Sequence, residues 1–199
     1  MILHCYSEKN WGQQQETWDA VAAIENAGYK VTDELTTTRN DNSYWKVLLR
    51  HWGKGRLIQF QQDIVPTVSQ IKSMIECYHP ACTYPHKLTG LNFGLWQGVW
   101  EDKDNQPLAY NRHGVVDFGS TPRPSTTIPL EAPFPEFSEG SGIGLIKLSK
   151  EMQAAIPLAD YPVAEHAWDL LDLWISSYMS QVLKKKWHVH QPNVRHNHY

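Results

Sequence analysis

Short apolar runs alternate along this chain with stretches of helical spacing, and the alternation predicts the elements. Ile2 to Tyr6 is a compact apolar run and predicts a first strand. From Gln14 to Ala27 the apolar residues Trp18, Val21 and Ala22 recur at helical spacing, and Gly28 follows as a stop. Tyr29-Lys30-Val31-Thr32 predicts a second strand, and the polar stretch Thr36 to Ser43 a loop. Tyr44 to Trp52 predicts a helix with Tyr44, Val47 and Leu48 on one face, closed by Gly53. Leu57 to Phe60 predicts a buried strand. Pro66 or Thr67 then opens a helix whose Val68, Ile71, Met74 and Ile75 share a face, and Cys82-Thr83-Tyr84 predicts another strand. Strands and helices alternating this way predict an α/β fold, a mainly parallel, Rossmann-like sheet with helices on both faces. Ligands of such sheets sit beyond the carboxyl ends of the strands. Gln61, Gln62 and Asp63 occupy that end of one strand, and Ser7 to Gly12 that end of the first.

The pattern changes over residues 101–140. Pro107, Pro122, Pro124, Pro129, Pro133 and Pro135 are half of the twelve prolines, a density that breaks regular elements and predicts an irregular insertion flanking a site. Order returns at Gly140-Ser141-Gly142-Ile143-Gly144 and Leu145 to Ser149. Ala164 to Leu183 predicts the longest helix, with Trp168, Leu171, Ile175, Tyr178 and Val182 as its buried stripe. A chain of 199 residues with this pattern is expected to form a single domain over 1–199.

Composition adds bounds. Hydrophobic residues make up 41% of the chain, enough for a sizeable core, and nine tryptophans offer rings for the core or for stacking on sugars and bases. The net charge of -3 excludes a strongly basic nucleic-acid surface over the whole molecule; Lys184-Lys185-Lys186 is the dense basic run and suits a helix end. Cys5, Cys77 and Cys82 make no disulfide framework. Cys77 to Cys82 suggests zinc, but the expected second half-site is missing, and free, mostly buried thiols in a reducing cytosol are the expectation. The start of the chain turns polar too soon for a signal peptide and no apolar run spans a membrane, so a cytoplasmic location is expected.

Several residues are candidates for chemistry. A carboxylate at a strand end, Asp63, is rigid enough to hold a hard cation against a diphosphate; Asp is also a good N-cap for the helix near Pro66. His188 and His190 are two apart and face one side of an extended segment, and His196 and His198 repeat that spacing. Imidazole is a good ligand for manganese and similar ions, so His188 or His190 is the expected partner of Asp63 on a metal. Asp169 and Asp172 are neighbours on one helix face, and Asp172 borders the buried stripe, where a partly desolvated carboxylate works as a general base; a surface acid pair is the plainer alternative. Gly142 and Gly144 lack the Rossmann spacing but let backbone approach a sugar closely.

Together these pieces resemble the A-type glycosyltransferase fold, in particular the short glycosyltransferase-2-like proteins of bacteria and phages. The resemblance rests on Ile58 to Pro66, Cys77 to Pro85, Gly142 to Ser149, Trp168 with Asp172, and the tail His188 to Pro192 with Val194 to Asn197. It implies a nucleotide-sugar donor, a UDP-sugar above all, over the first strands with Tyr6, Ser7, Gln61, Gln62, Gly142 and Gly144 as contacts. It implies a divalent cation, manganese or magnesium, on Asp63 with His188 or His190. Asp63 then takes the last position of the Asp-x-Asp motif, and Gln61 departs from the motif's first acid; an amide hydrogen-bonds a ribose but gives no charge to a cation. Asp172 is the implied acceptor-activating base. A hydroxymethylated base in phage-type DNA is one acceptor this implies. The rivals are an inactive sugar- or nucleotide-binding module of the same fold and a His-rich metal-binding protein.

Overall fold

The computed structural model describes residues 1–6, 15–36, 43–87, 94–101, 123–129, 133–161 and 171–197. The first half follows the predicted alternation: β1 (Ile2–Tyr6), α1 (Gln15–Asn26), β2 (Val31–Leu35), α2 (Ser43–His51), β3 (Leu57–Gln61), β4 (Ile64–Val65), α3 (Val68–Glu76) and β5 (Ala81–Tyr84). The second half adds β6 (Leu95–Glu101), β7 (Arg123–Ile128), β8 (Phe137–Ser138), β9 (Gly140–Ser141), β10 (Leu145–Leu148), α4 (Lys150–Ala155), α5 (Leu171–Ser177), a π-helical turn at Tyr178–Val182, β11 (Trp187–Val189) and β12 (Arg195–His196).

The central sheet has seven strands in the order β2-β1-β3-β10-β5-β11-β8. β2, β1, β3, β5 and β11 run parallel; β10 and β8 run against them. Both faces are covered. Tyr44, Val47 and Leu48 of α2, Met152 of α4 and Leu171, Trp174 and Ile175 of α5 bury one face against Leu3, Leu57, Ile146 and Leu148. Val21 and Ile24 of α1 and Ile71 and Met74 of α3 bury the other against Ile2, Ile58, Phe60 and Leu145. This is the mostly parallel α/β arrangement that the alternation predicts. β10 was not foreseen as antiparallel, because an apolar run carries no sign of its direction.

The segment 101–140 is less irregular than its prolines suggest. β7 lies within it, paired antiparallel to β6, and β9 completes this small sheet. Gly140 shows the price of that closeness: a Cβ there would lie 1.8 Å from the ring of the fully buried Trp96. Residues 102–122 and 130–132 lie outside the described part, so the insertion expected there is not described in full. Trp168 and the start of the predicted long helix also lie outside it. The described part of that helix buries Leu171 and Ile175, half-buries Tyr178 and leaves Val182 exposed. Among the described residues no helix is long and apolar enough to cross a membrane.

Candidate functional site at the carboxyl edge

The carboxyl ends of β1, β3 and β5 form one edge. Cys5 is level with Gln61, Phe60 with Leu145, and Leu145 with Tyr84. Gly142 to Gly144 enter β10 from that same edge, between the ends of β3 and β5.

Asp63 does not cap α3. Thr67 does: the Gln70 N–H donates to Thr67 Oγ1 at 3.2 Å and the Thr67 N–H to Gln70 Oε1 at 2.9 Å, a closed capping box. Asp63 Oδ2 instead meets His196 Nε2 at 2.9 Å. Its Oδ1 is buried without a hydrogen-bond partner. β12 lies antiparallel on β4 with His196 opposite Ile64, which carries the imidazole to the carboxylate. Burial opposes a charge on His196, but its bond to Asp63, the Asp63 charge and the Lys87 carbonyl outweigh that and raise its pKa.

A tail imidazole therefore reaches Asp63, but it is neither His188 nor His190. Those two belong to β11 and the residue after it, three strand steps from β3 with β10 and β5 between, about 14 Å at ordinary strand spacing. The set Asp63, His188 and His190 is not assembled on one ion. The chain turns after β11 and returns to β4, so the later histidine arrives. For a cation at Asp63 there remain the buried Oδ1 and the neutral Gln61 amide. That fits a hard cation whose shell is completed by ligand oxygens and water.

Tyr44 joins these groups from α2. Its hydroxyl is buried, comes near the Gln61 side chain and has no well-formed hydrogen bond. Burial pushes the phenol well above its ordinary pKa, and the nearby Cys5, Asp172 and Asp63 push it further against the opposing Gln61 amide. The phenol stays a neutral donor. Asp172 and Asp63 thus both lie within electrostatic reach of one hydroxyl. α5 is fixed there by Ser176, whose Oγ accepts from the Ser141 N–H at 3.2 Å and from Trp187 Nε1 at 3.0 Å. Gln59, fully buried on β3 and on the same face as Gln61, has no partner for either amide atom.

The other expected donor contacts divide. Gln62 gives its carbonyl to Thr17 Oγ1 at 2.6 Å. The Tyr6 ring lies on the α1 face, against His4 and Trp18, away from the face that carries Gln61. Ser7 lies outside the described residues. The Gly142 N–H donates to the Gly94 carbonyl at 3.0 Å. Gly144 is small for a different reason than a sugar: a Cβ would lie 2.3 Å from Nδ1 of the buried His86.

His188 and His190 face a different set, Cys77 and Cys82, with ligand-type atoms all within 4.8 Å of one another. Burial, then the His188 and Lys147 charges, lower the His190 pKa to about 4. His188 is lowered too, by burial and by His79, partly offset by Glu136.

Sequence reasoning missed Tyr44, Gln59 and His196 as members of the edge. Tyr44 reads as a core position by its spacing. Gln59 is a polar residue inside an apolar run, a signal visible in Leu57 to Phe60.

No family model matches the sequence, and no curated protein matches it. Among solved structures, the chain is similar to the crystal structure of A197 from STIV, with a TM-score of 0.56 and 12% identity over 100% of this chain and 85% of that one. At that identity the likeness speaks for the fold alone.

Proposed function

We propose that this chain is a glycosyltransferase of the A-type, Rossmann-like fold, moving a sugar from a nucleotide-sugar donor to an acceptor hydroxyl. One observation carries the reading. Two buried polar atoms without partners, Asp63 Oδ1 and the Tyr44 hydroxyl, lie near the carboxyl edge of a mostly parallel sheet, the unpartnered Gln59 amide lies on the same face as Gln61 two residues before it, and the Tyr44 hydroxyl is within electrostatic reach of a second carboxylate, Asp172. Native structures rarely leave such atoms unmatched, and this edge is where α/β sheets bind ligands.

In this reading the donor diphosphate lies over Asp63 and Gln61. A divalent cation bound through Asp63 Oδ1 would supply charge to balance the diphosphate. The Tyr44 hydroxyl donates to a donor oxygen. Asp172 takes the proton of the acceptor hydroxyl as that oxygen attacks the anomeric carbon and the diphosphate leaves. The acceptor is open; of the lysine run, Lys186 meets Glu139 at 3.1 Å.

A second reading, a sugar- or nucleotide-binding module without turnover, is favoured by two features: Gln61 in place of an acid, and the occupation of one Asp63 oxygen by His196. A panel of nucleotide sugars with and without manganese, read as released nucleotide, separates the two. Turnover that Asp63→Ala abolishes, and that Asp172→Asn stops without loss of donor binding, supports the transferase. Nucleotide binding with no release from any donor supports the module. Release unchanged in Asp172→Asn removes that residue from the role of base.

A further inference from the structure

A second cluster lies away from the carboxylate edge and is independent of the proposed transfer. Cys77 is the C-cap of α3 and Cys82 lies in β5. Cys82 is level with Lys147 of β10 on one side and His188 of β11 on the other, so all three side chains point to the α1–α3 face of the sheet. His190 follows on that face two residues later. The second half-site that the sequence reading found missing is thus offered by the far end of the chain.

From this arrangement we propose that Cys77, Cys82, His188 and His190 form a zinc site of the two-cysteine, two-histidine type.

The geometry is close to what zinc needs. The four ligand atoms lie within 4.8 Å of one another. Tetrahedral zinc with ordinary Zn–S and Zn–N lengths sets neighbouring ligand atoms about 3.3–3.8 Å apart. Cys77 Sγ and His188 Nδ1 are 3.6 Å apart. The two sulfurs, both free thiols, stand 2.8 Å apart and would open by about 1 Å around the ion. His190 is already oriented. Its Nδ1 meets Ser73 Oγ at 3.2 Å, and its Nε2 is buried with no partner. A Ser73 oxygen that accepts the Nδ1–H leaves the Nε2 lone pair for a metal, the usual outer support of a ligating histidine.

The surroundings agree. The His79 ring stacks on His188 with centroids 4.1 Å apart and holds its plane. Lys147, 2% exposed, donates to the Cys77 carbonyl at 2.7 Å, fixing the loop and bringing positive charge to the thiolates. A groove of about 490 Å³, lined by Ser73, Cys77, His79, Glu136, His188 and His190, gives the ion a way in. Thiolate with imidazole selects zinc over magnesium or manganese. Four protein ligands close the coordination sphere, so the site is structural. It ties the end of α3 and the start of β5 to β11, the strand from which the chain sets out to bring His196 to Asp63.

The test uses the full chain, purified under reducing conditions with any affinity tag removed. Elemental analysis is expected to find one zinc per chain. Cys77→Ser and His190→Ala should each lower it at least tenfold, while Asp63→Ala keeps it. Cobalt loaded into the apo protein should give tetrahedral ligand-field bands with thiolate charge transfer, and Cys82→Ser, which leaves the Cys77 thiolate, should cut the charge transfer by about half or more. A further arm needs no variant: zinc added to chelator-treated wild type should raise its melting temperature. A folded, reduced wild type that takes up neither zinc nor cobalt overturns the proposal. So does a cobalt spectrum unchanged in Cys77→Ser, or a melting temperature that zinc leaves where it was.

Discussion

A methyl group on Gly144 would sit 2.3 Å from His86 Nδ1, well inside contact distance, and His86 is too buried to swing clear. Gly144→Ala should therefore cost about 1–3 kcal/mol, the usual range for overpacking a filled site. Denaturant midpoints measure it; an unchanged midpoint would mean that the ring is not fixed over the glycine. The sequence points to Gly144 as special but not to why, since the imidazole that crowds it comes from the segment after β5, far away in the sequence. Asp63 shows the same division. Its place at a strand end is legible in the run Leu57 to Val65, while its partner is not. Spacing shows that His188 and His190 share a side and that His196 and His198 repeat the pattern, but not which histidine the chain's return brings to Asp63. Cys77 and Cys82 invite a metal reading that local sequence cannot complete, because the matching imidazoles come from the other end of the chain.

At the scale of elements, β2 and α2 are joined by Glu34, whose carboxylate meets Arg50 at 2.6 Å and His51 at 2.5 Å. Burial opposes the charge, but the bonds to His51 and Arg50 and the Arg50 charge outweigh it and lower the Glu34 pKa. A lowered carboxylate contributes stability that is present above the ordinary value, about 4.3, and is lost as pH falls through the folded value. Glu34→Gln should thus cost up to about 1 kcal/mol at neutral pH, since Arg50 is more than half exposed and solvent screens the pair. The gap should close in acid. Unfolding curves of both proteins at the two pH values check this, and an equal gap at both would reverse the sign argued here. The elements themselves were the most legible level, because helical spacing and short apolar runs are local properties. β1, α1, α2, β3, α3 and β5 fall within a few residues of their predicted bounds. The strands β7, β8 and β9 were hidden because proline density signals interruption, and Pro124 is accommodated within β7.

Over the whole molecule, the sheet brings two polar clusters to different places. Asp63, Tyr44 and Asp172 gather near the carboxyl edge, and Cys77, Cys82, His188 and His190 lie on the α1–α3 face farther along the strand order. The sequence suggested one metal centre built from Asp63 and the tail; the fold divides those residues between the two polar clusters. The α/β class followed from alternation alone. The strand order, with β10 reversed between β3 and β5, rests on contacts between distant parts of the chain. The most direct test of a nucleotide at the carboxyl edge is a calorimetric titration of UDP, with manganese present, into wild type and into Asp63→Asn of matched fold. The account predicts saturable binding to wild type, weakened about tenfold or more by the substitution, a loss of at least 1.4 kcal/mol. Equal affinity in the two proteins, or no binding to wild type, would contradict it.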